Sequence, residues 1–284
     1  VYFTQMIEHL VLSGAGINIL IQIGLLDYLI EHEIFQLQNI KSIHATSAGA
    51  IISVLLLLGI PITELRDYII HRPWDKFFIL DILNLNDTKG IITSTHLYTM
   101  IKPFMLAYDI PDTFTLLDLY NKSQVDLHIF TTKLNDMVSV DLNHTTTPDI
   151  TIHQAIAMSA AVPIIFTPVC YQNEYYIDGG ILNNCPISSI DEHYDTTLII
   201  DILGNIKQYT QDTPLLDYIH IIISNSLYIL SSNKSNQMLV NKYKHYYQIK
   251  TDISIFDIQE WDNLFKDMER RKTLYQIGYT FLKN

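Results

Sequence analysis

The sequence predicts an α/β fold, a three-layer α/β/α sandwich around a mostly parallel central sheet. Three observations carry this expectation. Short apolar runs, the length of buried strands, alternate with longer segments in which apolar residues recur at spacings of three and four. Two of the first junctions between them are loops of very small residues, Ser13-Gly14-Ala15-Gly16 and Ala45-Thr46-Ser47-Ala48-Gly49. The chain of 284 residues is 48% hydrophobic and 17% charged, enough apolar material for a sizeable core.

Taken in order, residues 9–12 read as a buried strand, and a helix follows from about residue 17 to 33 with Ile19, Ile23, Leu26 and Ile30 on one face. Residues 39–44 are expected as a short strand. Residues 48–60, almost wholly apolar, read as three turns of buried helix ended by Pro61. A short helix is expected over 63–71. Residues 73–93 show no clean period, and 95–108 read as a helix interrupted by Pro103. The apolar residues of 77–108 are candidates for a lid or a substrate wall. A helix over 113–121 precedes strands at 125–132 and 137–142, joined by a hairpin at Lys133-Leu134-Asn135-Asp136. Residues 151–158 form a helix that Thr151 can cap. Residues 169–171 and 174–177 pair around Gln172-Asn173. A continuous apolar strand at 196–203, a helix at 215–230, an edge strand at 243–250 and a helix at 270–282 complete the chain. No repeat or linker stands out. One domain is expected over 1–284, with its core at about 7–203 and the helices and edge strand of 204–284 completing it.

Net charge is −12, which argues against nucleic acid as a partner. The imbalance lies in residues 1–233, with 9 Lys+Arg against 24 Asp+Glu; residues 234–284 hold 9 against 6. The basic tail, including Lys242, Lys244, Lys250, Arg270, Arg271 and Lys272, either helps the protein approach an anionic membrane surface or is an ordinary solvated face. The longest apolar run, 48–62, is broken by Gly59 and Pro61 and falls short of the ~18 residues of a spanning helix. Cys170 and Cys185 read as packed thiols that fit a reducing compartment.

The chemistry centres on Ser47. A serine flanked by small residues, where a strand turns sharply into a helix, is pushed out of the packed layer beside the free N–H groups of that helix. The plainer reading is a helix cap. The glycine loop after the first strand aims several N–H groups into one space and forms an anion site, or else a tight turn that needs glycine's freedom. A dinucleotide fingerprint would require glycine at its sixth position, which is Ile19 here. A third feature, Asp178-Gly179-Gly180, stands at a later strand end. Loops at the carboxyl ends of parallel strands gather on one rim, so the three can share a site. Asp178 then supplies a base for Ser47, and the amides of Ala15, Gly16, Ile17 and Ala48 supply oxyanion donors. A Ser-His-Asp arrangement is the second enzyme reading, with His193 or His220 following Asp178. Neither Glu31-His32-Glu33 nor Asp191-Glu192-His193 has a zinc spacing, and no metal or cofactor is called for.

At these residues the chain resembles the patatin-like phospholipases. The matching elements are Leu12-Ser13-Gly14-Ala15-Gly16 and Ala45-Thr46-Ser47-Ala48-Gly49-Ala50. They continue through Ser159-Ala160-Ala161-Val162-Pro163 and Tyr176-Ile177-Asp178-Gly179-Gly180-Ile181-Leu182-Asn183-Asn184-Cys185-Pro186, in the family's order and spacing. The resemblance covers roughly the first two hundred residues. It implies a patatin-like fold and a Ser–Asp dyad of Ser47 and Asp178, with the loop of Gly14, Ala15 and Gly16, together with Ala48, as oxyanion hole. It implies a lipid acyl hydrolase that cleaves fatty acyl esters of membrane lipids through an acyl-enzyme, without a metal. The partners it implies are a phospholipid or other fatty acyl ester and a membrane touched peripherally from the cytoplasm, with a protein activator left open. The family pattern has glycine where this chain has Ala45, Ala15 and Ile19, and a basic residue where it has Asn18. These departures bear on rate and headgroup preference more than on fold, and a catalytically weak or inactive lipid-binding member is the alternative.

Overall fold

The computed structural model describes residues 6–283 apart from 79, 82, 191–192, 205–207, 216–217, 220, 224, 227–238 and 254–257. The chain opens with β1 (His9–Leu12), α1 (Ile19–Glu31), β2 (Ser42–Thr46), α2 (Ala48–Leu57) and α3 (Ile62–His71). A short α4 (Leu85–Thr88), β3 (Gly90–Ile92), α5 (Thr95–Ala107) and α6 (Leu116–Ser123) follow. Next come β4 (Asp126–Lys133), β5 (Val138–Leu142), α7 (Ile152–Ala160), β6 (Ile164–Phe166), β7 (Val169–Tyr171) and β8 (Glu174–Asp178). The described C-terminal elements are β9 (Thr197–Gly204), β10 (His245–Thr251), α8 (Ile258–Lys266) and α9 (Met268–Tyr279).

The main sheet runs β10-β9-β1-β2-β4-β8-β7, with β5 also on β4. From β10 to β4 all neighbours are parallel; β5, β8 and β7 add the antiparallel pairs. The fold is therefore α/β around a mostly parallel sheet. β3 and β6 make a separate parallel pair.

The two faces of the sheet differ. Leu10, Leu12, Ile43, Ala45, Ile129, Leu198 and Ile200 point into the main core with the helices. The alternate residues Val11 and Ile199 meet a smaller cluster with Ile187, Ile190 and Tyr243. Period-two alternation fixes this division. The same alternation lines His9, His44 and His128 on the second face, where His44 and His128 stack at 4.3 Å between ring centroids. Every residue of α2 is buried, as its unbroken apolar sequence predicts. α1 crosses α9 so closely that a Cβ on Gly24 would lie 2.1 Å from the Tyr275 carbonyl oxygen, and one on Gly278 would lie 1.9 Å from that of Ile21.

Several expectations shift. The elbow strand starts at Ser42 because Leu37–Asn39 is a 3-10 turn. α5 runs through Pro103, held by burial of Leu97, Ile101, Phe104 and Met105. Of the expected helix at 215–230, residues 215, 218–219, 221–223 and 225–226 are helical and the rest lie outside the described residues. Cys170 is exposed rather than packed. Arg271 is no surface cation; it is buried in α9.

One register relation positions the site. β2 pairs with Asp126–Phe130, β5 with residues 129–133, and β8 with residues 131–133. The overlaps put β2 and β5 on opposite edges of β4, and β5 and β8 on opposite edges. β2 and β8 therefore share one edge, end to end, and run toward each other. Thr46 lies opposite Phe130, and Asp178 lies opposite Thr131.

Candidate active site

β2 delivers Ser47 into a turn with φ 54° and ψ −119°. A non-glycine residue at positive φ outside the left-handed helical well carries strain of about 1–3 kcal/mol. Main-chain bonds hold it there. Its amide donates to the Ser159 hydroxyl at 2.8 Å, and that hydroxyl donates to the Phe130 carbonyl at 2.6 Å. Its carbonyl accepts from Ala50 and Ile51 at 2.9 and 3.2 Å. The Thr46 hydroxyl donates to the Asn183 carbonyl at 2.8 Å. The Ser47 side chain makes no capping bond to α2, so the plain cap reading does not describe it.

Glycine is required after the serine and not before it. A Cβ on Gly49 would sit 2.6 Å from the Leu12 carbonyl oxygen and 2.7 Å from the Leu12 Cβ. Ala45 has ordinary strand geometry and is fully buried. In the glycine loop, Ala15 has φ −134°, which any residue adopts, and Gly16 has φ 51°. Two of the departures from the family pattern are thus accommodated without strain. Asn18 is buried, and its amide donates to the Ile253 carbonyl at 3.2 Å, tying the loop to the chain after β10. Ile19 is buried on the pocket described below.

Asp178 reaches Ser47 by a route that the rule for parallel strands does not supply. β8 is antiparallel to β4, so its carboxyl end would normally fall on the opposite rim. It meets the serine because β8, running toward β2 along the same edge of β4, ends where β2 ends. Gly179 makes this possible, since a Cβ there would lie 2.1 Å from the Phe130 carbonyl oxygen. The Asp178 amide donates to the Ala161 carbonyl at 2.9 Å, and Oδ1 accepts from the Gly180 amide at 2.6 Å. Oδ2 is buried and accepts from no described residue at hydrogen-bond geometry. Burial pushes the Asp178 carboxyl up to about 6, against smaller opposing effects of the adjacent Ser47 hydroxyl and the Gly180 amide. The Ser47 hydroxyl is close enough to lower the carboxyl's pKa. Catalytic hydrogen bonds are often loose without substrate.

The glycine loop is pinned by Asn184. The Gly14 amide donates to the Asn184 carbonyl at 2.9 Å, and Asn184 Nδ2 donates to the Gly14 carbonyl at 3.4 Å. A Cβ on Gly14 would meet Asn184 Oδ1 at 2.4 Å, and one on Gly180 would meet the same atom at 2.7 Å. Asn184 thus fills the space between the two glycine loops. Among the described residues, none accepts from the amides of Ala15, Gly16 or Ala48. The Gly14 amide, by contrast, is already engaged. Behind the loop, Ser13 Oγ accepts from the Ile202 amide at 2.8 Å. The buried Asp201 beside it accepts from Tyr246 and Gln248 at 2.7 and 3.0 Å.

Gly16, Ile17, Ser47 and Ala48 open into a concave pocket. Apart from Ser47 and Arg271, every residue lining it is apolar. Phe78, Leu97 and Met100 from the expected wall region take part, as do Trp261, Leu264 and Phe265 of α8, which the sequence did not single out.

The described candidate histidine falls elsewhere. His193 stacks on His9 at the amino-terminal end of β1, the rim away from Ser47. His220 lies outside the described residues. Sequence reasoning missed Ser159, Asn184 and Asp201 as supports. Ser159 and Asn184 stand inside motifs it quoted, but pairing across the fold leaves no local pattern.

Comparison with known proteins identifies the family. The sequence pattern described as Patatin-like phospholipase matches residues 10–191. A probable lipid hydrolase of Invertebrate iridescent virus 6 is 30% identical over 185 residues, 63% of this chain and 62% of that protein. The aligned region is thus under two thirds of that relative's length. An uncharacterized protein of Acanthamoeba polyphaga mimivirus is 26% identical over 306 residues, covering 98% of this chain and 93% of its own. Among solved structures, VipD from Legionella pneumophila shares the fold, with a TM-score of 0.51 and 18% identity over 96% of this chain and 67% of that one. The matched residues 10–191 span both glycine loops, the serine elbow and Asp178, and the chain belongs to the patatin-like phospholipase family.

Proposed function

We propose that the protein is a lipid acyl hydrolase of the phospholipase A type, with Ser47 as nucleophile and Asp178 as its base. The observation that carries this reading is the meeting of β2 and β8 on one edge of β4, which puts a strained serine and a buried carboxyl beside an apolar pocket.

Asp178 takes the Ser47 Oγ proton as Oγ attacks the acyl carbonyl carbon. The amides of Ala15, Gly16 and Ala48 stabilise the oxyanion; such a donor is worth about 3–4 kcal/mol in other serine enzymes. Collapse breaks the ester bond, and the leaving alkoxide takes the proton from Asp178. Water then attacks the acyl-enzyme, giving its proton to Asp178, which returns it to Ser47 Oγ as the fatty acid leaves. A carboxyl near 6 is a stronger base than a solvated aspartate and is still ionised at neutral pH. The substrate is a fatty acyl ester presented at a membrane surface, which the protein contacts peripherally.

The test is fatty-acid release from mixed phospholipid vesicles by wild type, Ser47→Ala and Asp178→Asn, with fluorophosphonate labelling of Ser47. Release and labelling by wild type alone support the dyad. Release that survives Ser47→Ala removes it.

A further inference from the structure

We infer that an aromatic wall, completed by rings from outside the family-matched region, sets how long an acyl chain the pocket accepts. The inference rests on the reading of the pocket as the acyl site. One side of the pocket is the Gly16–Ile17 and Ser47–Ala48 region that presents the amides and the hydroxyl. Another is a contiguous group of rings from three separate segments: Trp74 and Phe78, Phe166, and Trp261 and Phe265 of α8. Phe78 and Phe265 stack face to face, 4.7 Å between centroids at 8°. Trp261 meets Phe166 edge-on at 5.5 Å, and Trp74 lies 5.7 Å from Phe78. Rings locked to one another in this way resist displacement by a flexible chain.

The wall is clamped from behind. Arg271 is buried, and its donors go to main-chain carbonyls: Ile70 at 2.7 Å, Leu264 at 2.6 Å, Phe265 at 3.0 Å and Arg72 at 3.3 Å. Ile70 and Arg72 stand at the end of α3, and Leu264 and Phe265 in the last turn of α8, where carbonyls lack helical partners. One guanidinium thus ties together two helix ends whose side chains Ile69, Leu264 and Phe265 line the pocket. Trp261, Leu264, Phe265 and Arg271 all lie beyond residue 191, where the family match ends. The catalytic loops are therefore common to the family, and this part of the wall belongs to the segment after it.

Each methylene that enters the pocket favours binding by about fourfold, and one that meets the wall gains nothing. The chain's two tryptophans, Trp74 and Trp261, both line the pocket, so its occupancy can be read without turnover. The experiment titrates full-length Ser47→Ala protein with terminally brominated fatty acids from six to eighteen carbons and follows tryptophan quenching. Affinity should rise about fourfold per methylene to a maximum length and then fall. In Phe265→Ala and Phe78→Ala the maximum should move to longer chains. Phe265→Leu and Phe78→Leu, with melting curves, serve where the alanine variants do not fold. Quenching that is absent, independent of length, or unmoved by substitution in folded protein overturns the wall. Loss of the Ser–Asp reading shows instead as vesicle hydrolysis that survives Ser47→Ala, whatever the quenching does.

Discussion

The Ser47 amide and the Ser159 hydroxyl are joined at 2.8 Å, and through Ser159 the elbow is tied to the Phe130 carbonyl on β4. Phe130 is also the residue opposite Thr46, so one strand sets both the position and the strained conformation of Ser47. Ser159→Ala leaves the buried Ser47 amide without an acceptor, at a cost of about 1–3 kcal/mol. It also releases the elbow, and a misplacement on the scale of 1 Å costs about a hundredfold in rate. Denaturant midpoints and fatty-acid release on the same variant check both. Full activity in Ser159→Ala would mean that α2 alone holds the turn.

The proposed role of Asp178 as base predicts that activity and stability respond to pH in opposite directions. Its carboxyl is pushed up to about 6 by burial, so the base form is lost as pH falls through that value. Fatty-acid release should therefore drop tenfold per pH unit below about 6 and level above it. For stability the folded value lies above the unfolded one. The native state holds the proton more tightly, so Asp178's contribution is fully present below about 4 and is lost as pH rises through about 6. At pH 8 the buried charge costs on the order of 3 kcal/mol. Asp178→Asn should be inactive yet more stable than wild type at pH 8, with the gain vanishing toward pH 4. A constant stability difference across that range would count against an ionised Asp178.

How far the site was legible can be traced through particular residues. Gly14, Gly16, Ser47 and Asp178 announce themselves because tight turns demand small residues, and their strands carry clear apolar runs. The bounds of β1 follow from such a run, His9–Leu12. The meeting of Ser47 with Asp178 was expected from a rule for parallel strands that does not hold for β8. What brings them together is register along β4, and register is a property of pairing rather than of either segment. Asn184 and Ser159 act across more than a hundred residues of chain, with no local period to betray them. The wall from α8 was missed because Trp261, Leu264 and Phe265 are interleaved with Asp262, Asn263 and Lys266, and their common face appears only in the folded helix.

Two positions flanking the serine separate a steric requirement from a family habit. A Cβ on Gly49 would press against the Leu12 carbonyl and Cβ, and neither can retreat without moving β1. Gly49→Ala should lose about 1–3 kcal/mol as overpacking and abolish fluorophosphonate labelling of Ser47. Ala45→Gly restores the residue usual in the family, but Ala45 is buried at ordinary strand geometry. That change should cost about 0.5–1 kcal/mol and leave the labelling rate within a few fold. A large gain in labelling by Ala45→Gly would show that the methyl strains the elbow.

Arg271 offers the sharpest stability test, because it is a buried cation whose described partners are carbonyls rather than a carboxylate. Burial lowers its pKa from the usual value, the direction expected for a desolvated cation. Hydrogen bonds to charged groups contribute about 1.5–3 kcal/mol each, and several are lost together in Arg271→Met. Methionine fills much of the volume, so the loss beyond packing reports on the clamp; it should exceed about 3 kcal/mol in denaturant unfolding. Arg271→Lys keeps the charge but has no planar fork, and a single ammonium cannot reach carbonyls at two helix ends at once. It should recover less than half of the loss. Equal stability of the Lys variant and wild type would mean that charge, not the geometry of the fork, joins α3 to α8.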